Sequence, residues 1–188
     1  MKVVGLAGWS GAGKTTLLTR VIPLLAARGL RVSTLKHAHH AFDIDHPGKD
    51  SYEHRAAGAG EVLIVSGKRW ALLHELRGEA EPRLAELLDK LAPCDLVIVE
   101  GFKRAAHPKV EINRAANGKS FLYPEMADVR GLICDAPPAD WSGPLAHPDD
   151  VAAATDLLLA AAVPLAEVQA ALRADRPIDR ASPPQPVG

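Results

Sequence analysis

The chain has 188 residues, 47% apolar and 24% charged, with a formal net charge of −1. That length and mix fit one domain with a well-sized core. The lack of a basic surplus argues against a nucleic-acid binder, and the longest apolar run, 157–165, is too short to span a membrane.

The chain opens on a short apolar strand, Lys2–Ala7, without a signal-peptide core or cleavage site, so a cytoplasmic protein is expected. Residues 8–15 then read G-W-S-G-A-G-K-T, a complete G-x-x-x-x-G-K-[ST] phosphate loop between a strand and a helix. Gly8, Gly11 and Gly13 lack a Cβ, so the backbone can take positive φ and close on an anion. The amides of Ser10, Gly11, Ala12, Gly13, Lys14 and Thr15 are expected to converge on phosphate oxygens, aided by the positive helix end. Lys14 would reach the β- and γ-phosphates, the Thr15 hydroxyl would bind Mg²⁺, and Thr16 would sit near the α-phosphate. The amphipathic helix, Lys14–Arg28, places Leu17, Leu18, Val21, Leu24 and Leu25 on its apolar face and closes at Gly29.

Strand Arg31–Lys36 leads into K-H-A-H-H-A-F-D-I-D-H-P-G-K-D-S-Y, residues 36–52. Ligands of parallel sheets bind outside the carboxyl ends of the strands, which assigns this segment to the site. Lys36, His37 and Lys49 are candidates for phosphate contacts, and Asp43, Asp45 or Asp50 for water-mediated Mg²⁺ contacts. His37, His39, His40 and His46 invite a transition-metal reading, but their spacing fits no standard zinc pattern. A short helix follows at Ser51–Ala57. Glu61–Ser66 and Arg69–His74 read as a hairpin turning at Gly67-Lys68. Glu81–Leu91 is an amphipathic helix with Leu84, Leu87, Leu88 and Leu91 on one face.

The run D-L-V-I-V-E-G-F-K, residues 95–103, is a buried parallel strand ending in an acid. Glu100 is placed to serve the nucleotide's metal, and Gly101 lets a backbone amide approach the γ-phosphate. His107–Arg114 alternates charged and apolar residues, the ordinary pattern of an edge strand with one solvated face; its rival reading is a partner or substrate surface. Strand Arg130–Cys134 and helices Asp149–Ala162 and Leu165–Arg173 complete the pattern. Cys94 and Cys134 read as buried structural thiols. The expected fold is an α/β three-layer sandwich of the phosphate-loop NTPase type, mainly parallel, with an antiparallel hairpin added. One nucleotide-binding domain is expected over 1–174, with a disordered Pro-rich tail over 175–188. There is no guanine-reading N-K-x-D or T-K-x-D element, although Asp135 stands where it could read a guanine edge, and no arginine finger is evident.

Together the phosphate loop, the histidine segment through Arg55 and the V-E-G-F-K run followed by H-P-K-V-E resemble the MobB family of molybdopterin-guanine dinucleotide biosynthesis adapters, from residue 1 to about 160. The resemblance implies a GTP-binding homodimer, at most feebly hydrolytic. It would assist the guanylyltransferase that converts molybdopterin to molybdopterin guanine dinucleotide, with contact to molybdopterin itself left open. Carried over, Gly11–Thr16 would cradle phosphates, with Thr15 and Glu100 on the Mg²⁺ side. Two alternatives stand beside it. One is a nickel- or zinc-delivery GTPase, motivated by the histidines. The other is a small-molecule kinase with Asp50 or His37 as base.

Overall fold

The computed structural model describes residues 1–38 and 42–175. Within them the chain forms two compact units, residues 1–37 with the chain from Leu84 onward, and Ala38–Arg83. His39, His40 and the expected tail beyond Asp175 lie outside the described residues.

The larger unit is built on a sheet of β1 (Lys2–Ala7), β2 (Val32–Lys36), β5 (Leu96–Glu100), β6 (Lys109–Asn113), β7 (Val129–Cys134) and β8 (Leu145–Ala146), in spatial order β2-β5-β1-β6-β7-β8. Every one of these pairings is parallel. A two-residue strand, β9 (Val163–Pro164), joins the start of β1 antiparallel. The strand of the V-E-G-F-K run therefore lies directly beside the phosphate-loop strand, as expected.

Strand alternation divides the core in two. Val4, Leu6, Leu96, Ile98, Val110, Ile112 and Ile133 pack with helices α1 (Lys14–Ala27) and α4 (Val151–Ala161). Val3, Val97 and Val99 pack with α3 (Leu84–Asp89) and α5 (Leu165–Ala174). From α1, Leu17, Leu18, Val21 and Leu25 are buried, each worth about 1.5–3 kcal/mol. Leu24, assigned to that face by periodicity, is instead 38% exposed. Helix α1 ends as foreseen. Gly29 at φ 79° donates to the Ala26 carbonyl and Leu30 to that of Leu25, a Schellman motif. Asp150 caps α4 by accepting from the Ala153 amide. Cys94 and Cys134 are free and buried.

Strand β6 corrects the sequence reading. It is no edge: it runs between β1 and β7, with Lys109 and Glu111 fully buried. A buried charge survives only with several hydrogen-bond partners. Lys109 Nζ donates to the carbonyls of Ala105 and His107 and to Asp128 at 2.8, 3.0 and 3.2 Å. Glu111 accepts the amides of Leu122 and Tyr123 at 2.8 and 2.9 Å. Asn113 donates to the Lys119 carbonyl at 3.1 Å. These polar residues face loops that cover the sheet, not solvent.

The smaller unit holds α2 (Asp50–Ala56) and a hairpin of β3 (Glu61–Val65) and β4 (Trp70–His74). Arg55 is its hub. The guanidinium bonds both oxygens of Asp43 at 2.9 Å and Glu75 at 2.8 Å, and lies 3.6 Å from the buried Asp45. Asp43 and Asp45, weighed as magnesium ligands, are thus engaged in holding this unit together.

His107 gives the fold a pH dependence. Burial, then the charge of Lys109, push its pKa down to about 4 from an ordinary 6.5, and its Nε2 has no hydrogen-bond partner. At higher pH both folded and unfolded chains carry it neutral, and its stabilising contribution is fully present. Between pH 6.5 and 4 only the unfolded chain gains the proton, so stability falls as pH drops through that window. We predict a loss of about 2–3 kcal/mol across it. Denaturant unfolding at a series of pH values checks this, with His107→Gln as the variant in which that part of the curve flattens.

Candidate phosphate site

The phosphate loop takes the shape its glycines allow. Gly8, Gly11 and Gly13 have φ of 151°, 80° and 92°. Gly13 forms the N-terminal boundary of α1, whose first helical bond runs from the Leu17 amide to the Gly13 carbonyl. Gly8 is required twice: a Cβ there would lie 2.5 Å from the Ile112 carbonyl oxygen. The loop thus rests directly on β6. Ala12 is buried beneath it, while Ser10, Gly11, Thr15 and Thr16 are exposed.

Lys14 curls over its own loop and donates to the carbonyls of Gly8 and Trp9 at 3.0 and 2.9 Å. Burial holds its ammonium below the ordinary lysine range; Lys103 and Lys36 press the same way, and Glu100 opposes them. These charges therefore share one neighbourhood, at the carboxyl edge of β1, β2 and β5. Register agrees, since Glu100 pairs with Leu6 on one side and Lys36 on the other. Gly101 follows at φ 101°, and a Cβ there would sit 2.6 Å from that of His37. The glycine is needed for this close approach as well as for access to an amide.

The larger unit accordingly gathers Ser10–Thr16, Lys36, Glu100 and Gly101. Asp50 belongs to the other unit, as the exposed first residue of α2. Thr15 and Glu100 supply a hydroxyl and a carboxylate, the hard oxygen donors that suit Mg²⁺. Among the described residues, no group of three or more His, Cys, Asp or Glu is arranged to hold a metal.

Four residues around the loop carry no motif and were not foreseen. Trp9 donates its indole N–H to the Ser120 carbonyl at 2.8 Å. Lys103 Nζ lies 4.8 Å from the Trp9 ring centroid. Asn117 donates to the Ser10 carbonyl at 3.1 Å. Arg114 Nε lies 3.4 Å from where a Gly13 Cβ would stand, and its guanidinium reaches Asp149 at 3.3 Å. Only the terminus of β6, placed beside β1 by the sheet, brings Arg114 and Asn117 there. Asp135 ends β7 on the same edge. Its carboxylate accepts the Ala115 amide at 2.8 Å, the leading cause of its lowered pKa.

Asn117 is thus a brace of the phosphate loop. Asn117→Ala should speed amide hydrogen exchange at Gly11–Gly13 while shifting Tm by no more than about 4 °C, a change near 1 kcal/mol. Exchange measured residue by residue, alongside a thermal melt, checks this.

Comparison with known proteins agrees with the architecture and with the motif blocks. The chain is 46% identical over 118 residues to the molybdopterin-guanine dinucleotide biosynthesis adapter protein of Escherichia coli, covering 62% of this chain and 67% of that one. It is 42% identical over 113 residues to the adapter protein of Haemophilus influenzae, covering 60% and 63%. The matched region is thus about two thirds of these relatives' length. The crystal structure of Bacillus subtilis MobB superimposes with a TM-score of 0.66 at 26% identity, covering 85% of this chain and 97% of that one. A crystal structure of molybdopterin-guanine biosynthesis protein B gives the same score at 25% identity, covering 84% and 98%. The metal-delivery and kinase readings gain no support from these relatives. The profile of one family, MobB, molybdopterin guanine dinucleotide synthesis protein B, matches residues 3–135, and the chain belongs to that family.

Proposed function

We propose that this chain is a GTP-binding adapter in molybdenum cofactor biosynthesis, assisting the guanylyltransferase that joins a guanine nucleotide to molybdopterin. One observation carries the reading: three glycines at positive φ and Lys14 shape an anion cradle beside Glu100, in a chain of the MobB family. Backbone amides and the start of α1 would hold the phosphates. Lys14, drawn from its carbonyl partners, and Lys36 would neutralise them. Thr15 and Glu100 would hold Mg²⁺, which when bound screens the phosphate charge. Asp135 lies two strands from β1, about 10 Å away at the usual strand spacing, comparable to the reach of a nucleoside from phosphate to base. Its ionised carboxylate suits the donor edge of guanine and not adenine. No residue is placed as an efficient hydrolytic base, so slow turnover is the expectation. The site of action is the cytoplasm, since among the described residues no helix is long and apolar enough to cross a membrane.

The hairpin supports a homodimer. Leu63, Val65, Trp70 and Leu72 share one face and are 63%, 73%, 69% and 47% exposed. A two-stranded hairpin with such a face is marginal alone and marks a protein contact. A second copy of the chain is the occupant this reading assigns.

Calorimetric titration with GTP, ATP and GDP, with and without Mg²⁺, tests the ligand. GTP should bind best and with magnesium dependence. Lys14→Ala should weaken binding roughly tenfold or more and leave the nucleotide-free melting temperature unchanged. A well-folded protein that ignores every purine nucleotide overturns the reading. Leu63→Glu should convert the dimer to monomer in sedimentation velocity; a wild type already monomeric at micromolar concentration overturns the dimer.

A further inference from the structure

Lys103 is the charged residue of this edge that no part of the reading above uses. It sits in the connection from β5 to β6, three residues after Glu100. That connection is held on both sides of it. Before it, Gly101 and Phe102 both have left-handed backbone, φ 101° and 47°. A phenylalanine rarely adopts that conformation, and strain of this kind concentrates at ligand clamps and switches. Phe102 is kept there by the His37 ring, 4.7 Å away, and by the core cluster of Val97 and Val99. After it, the buried Lys109 ammonium grips the carbonyls of Ala105 and His107. The backbone around Lys103 is therefore fixed, and its long side chain is the adjustable part.

That side chain rests on the phosphate loop. Its ammonium lies over the Trp9 ring, and Trp9 is the second residue of the loop, tied to Ser120 on its other side. Among the described residues no carboxylate forms an ion pair with Lys103. Three ammonium groups, Lys14, Lys36 and Lys103, thus crowd one neighbourhood with Glu100 as the counter-charge acting there. Such a cluster is self-repelling until an anion enters it. A cation–π contact at an exposed ring is weaker than a charge-assisted bond to a phosphate oxygen, so an anion can draw Lys103 off the ring.

We propose that Lys103 reads the terminal phosphate: it leaves the Trp9 face to pair with the γ-phosphate of a bound nucleoside triphosphate, and so distinguishes triphosphate from diphosphate. This rests on the nucleotide reading above. The segment from Gly101 to Lys103 follows the strand next to β1, on the side where the metal-bound end of the triphosphate would lie. Diphosphate would leave Lys103 on Trp9. The indole would then report which nucleotide is present, and the Ser120 contact would carry that state to the 114–121 segment.

The test titrates wild type, Lys103→Met and Lys103→Arg with GDP and with the β,γ-imido analogue of GTP, in Mg²⁺, by calorimetry and by tryptophan fluorescence. Trp9→Phe identifies the signal that belongs to Trp9. Lys103→Met should weaken the triphosphate roughly 10- to 100-fold and the diphosphate less than about twofold. Lys103→Arg should restore most of the preference. A triphosphate-specific fluorescence change should be present in wild type and absent from Lys103→Met and Trp9→Phe. Equal weakening of both nucleotides, or of neither, overturns the proposal while leaving the nucleotide reading intact. A wild type that binds neither overturns both.

Discussion

The seating of the phosphate loop on β6 is the constraint from which the rest of the site follows. A Cβ at Gly8 would stand 2.5 Å from the Ile112 carbonyl oxygen, so nothing larger than glycine fits. That contact fixes the height of the loop above the sheet. It also sets where α1 begins, because Gly13 follows only five residues later. The amides from Ser10 to Thr15 then have little freedom left. An anion cradle fixed before its ligand arrives spends less ordering entropy on binding.

Strand β6 is able to serve as that floor because it is anchored from within. Its second face carries Lys109, Glu111 and Asn113, each bonded to loop backbone. Lys109 fastens the connection that bears Gly101 and Lys103. Glu111 and Asn113 fasten the segment that bears Asn117 and Ser120. Both loops flanking the phosphate loop are therefore tied to one strand. Breaking such a bond would leave a buried charge without its partner, a costlier event than losing an exposed ion pair. This explains why a strand in the middle of the sheet keeps charges where an aliphatic residue would pack.

The two units differ in what holds them together. The larger one relies on aliphatic layers on both faces of a parallel sheet. The smaller one centres on Arg55 and its carboxylates, with Val62 as its buried aliphatic residue. Little of its apolar surface is withdrawn from water, and one hairpin face stays open. Its acids are largely committed to Arg55, which leaves the metal-binding chemistry of the chain to Thr15 and Glu100 on the other unit.

The sequence by itself determined the local structures whose causes are local. Glycine spacing specified the loop, a Schellman signal at Gly29 closed α1, and continuous apolar runs marked the buried parallel strands. Glu100 and Gly101 were legible because a strand's end is a fixed point of a parallel sheet. Only the tertiary structure decided the environment of β6, since alternating charge looks the same whether the charged face meets water or a covering loop. It alone brought Trp9, Lys103, Arg114 and Asn117 around one turn of chain. It also divided the histidine segment, keeping Lys36 and His37 with the phosphate loop and assigning Asp43, Asp45 and Asp50 to the other unit. The physical reason is range. Backbone conformation is set by neighbours a few residues away, whereas burial and electrostatic company are set by residues that only folding brings close.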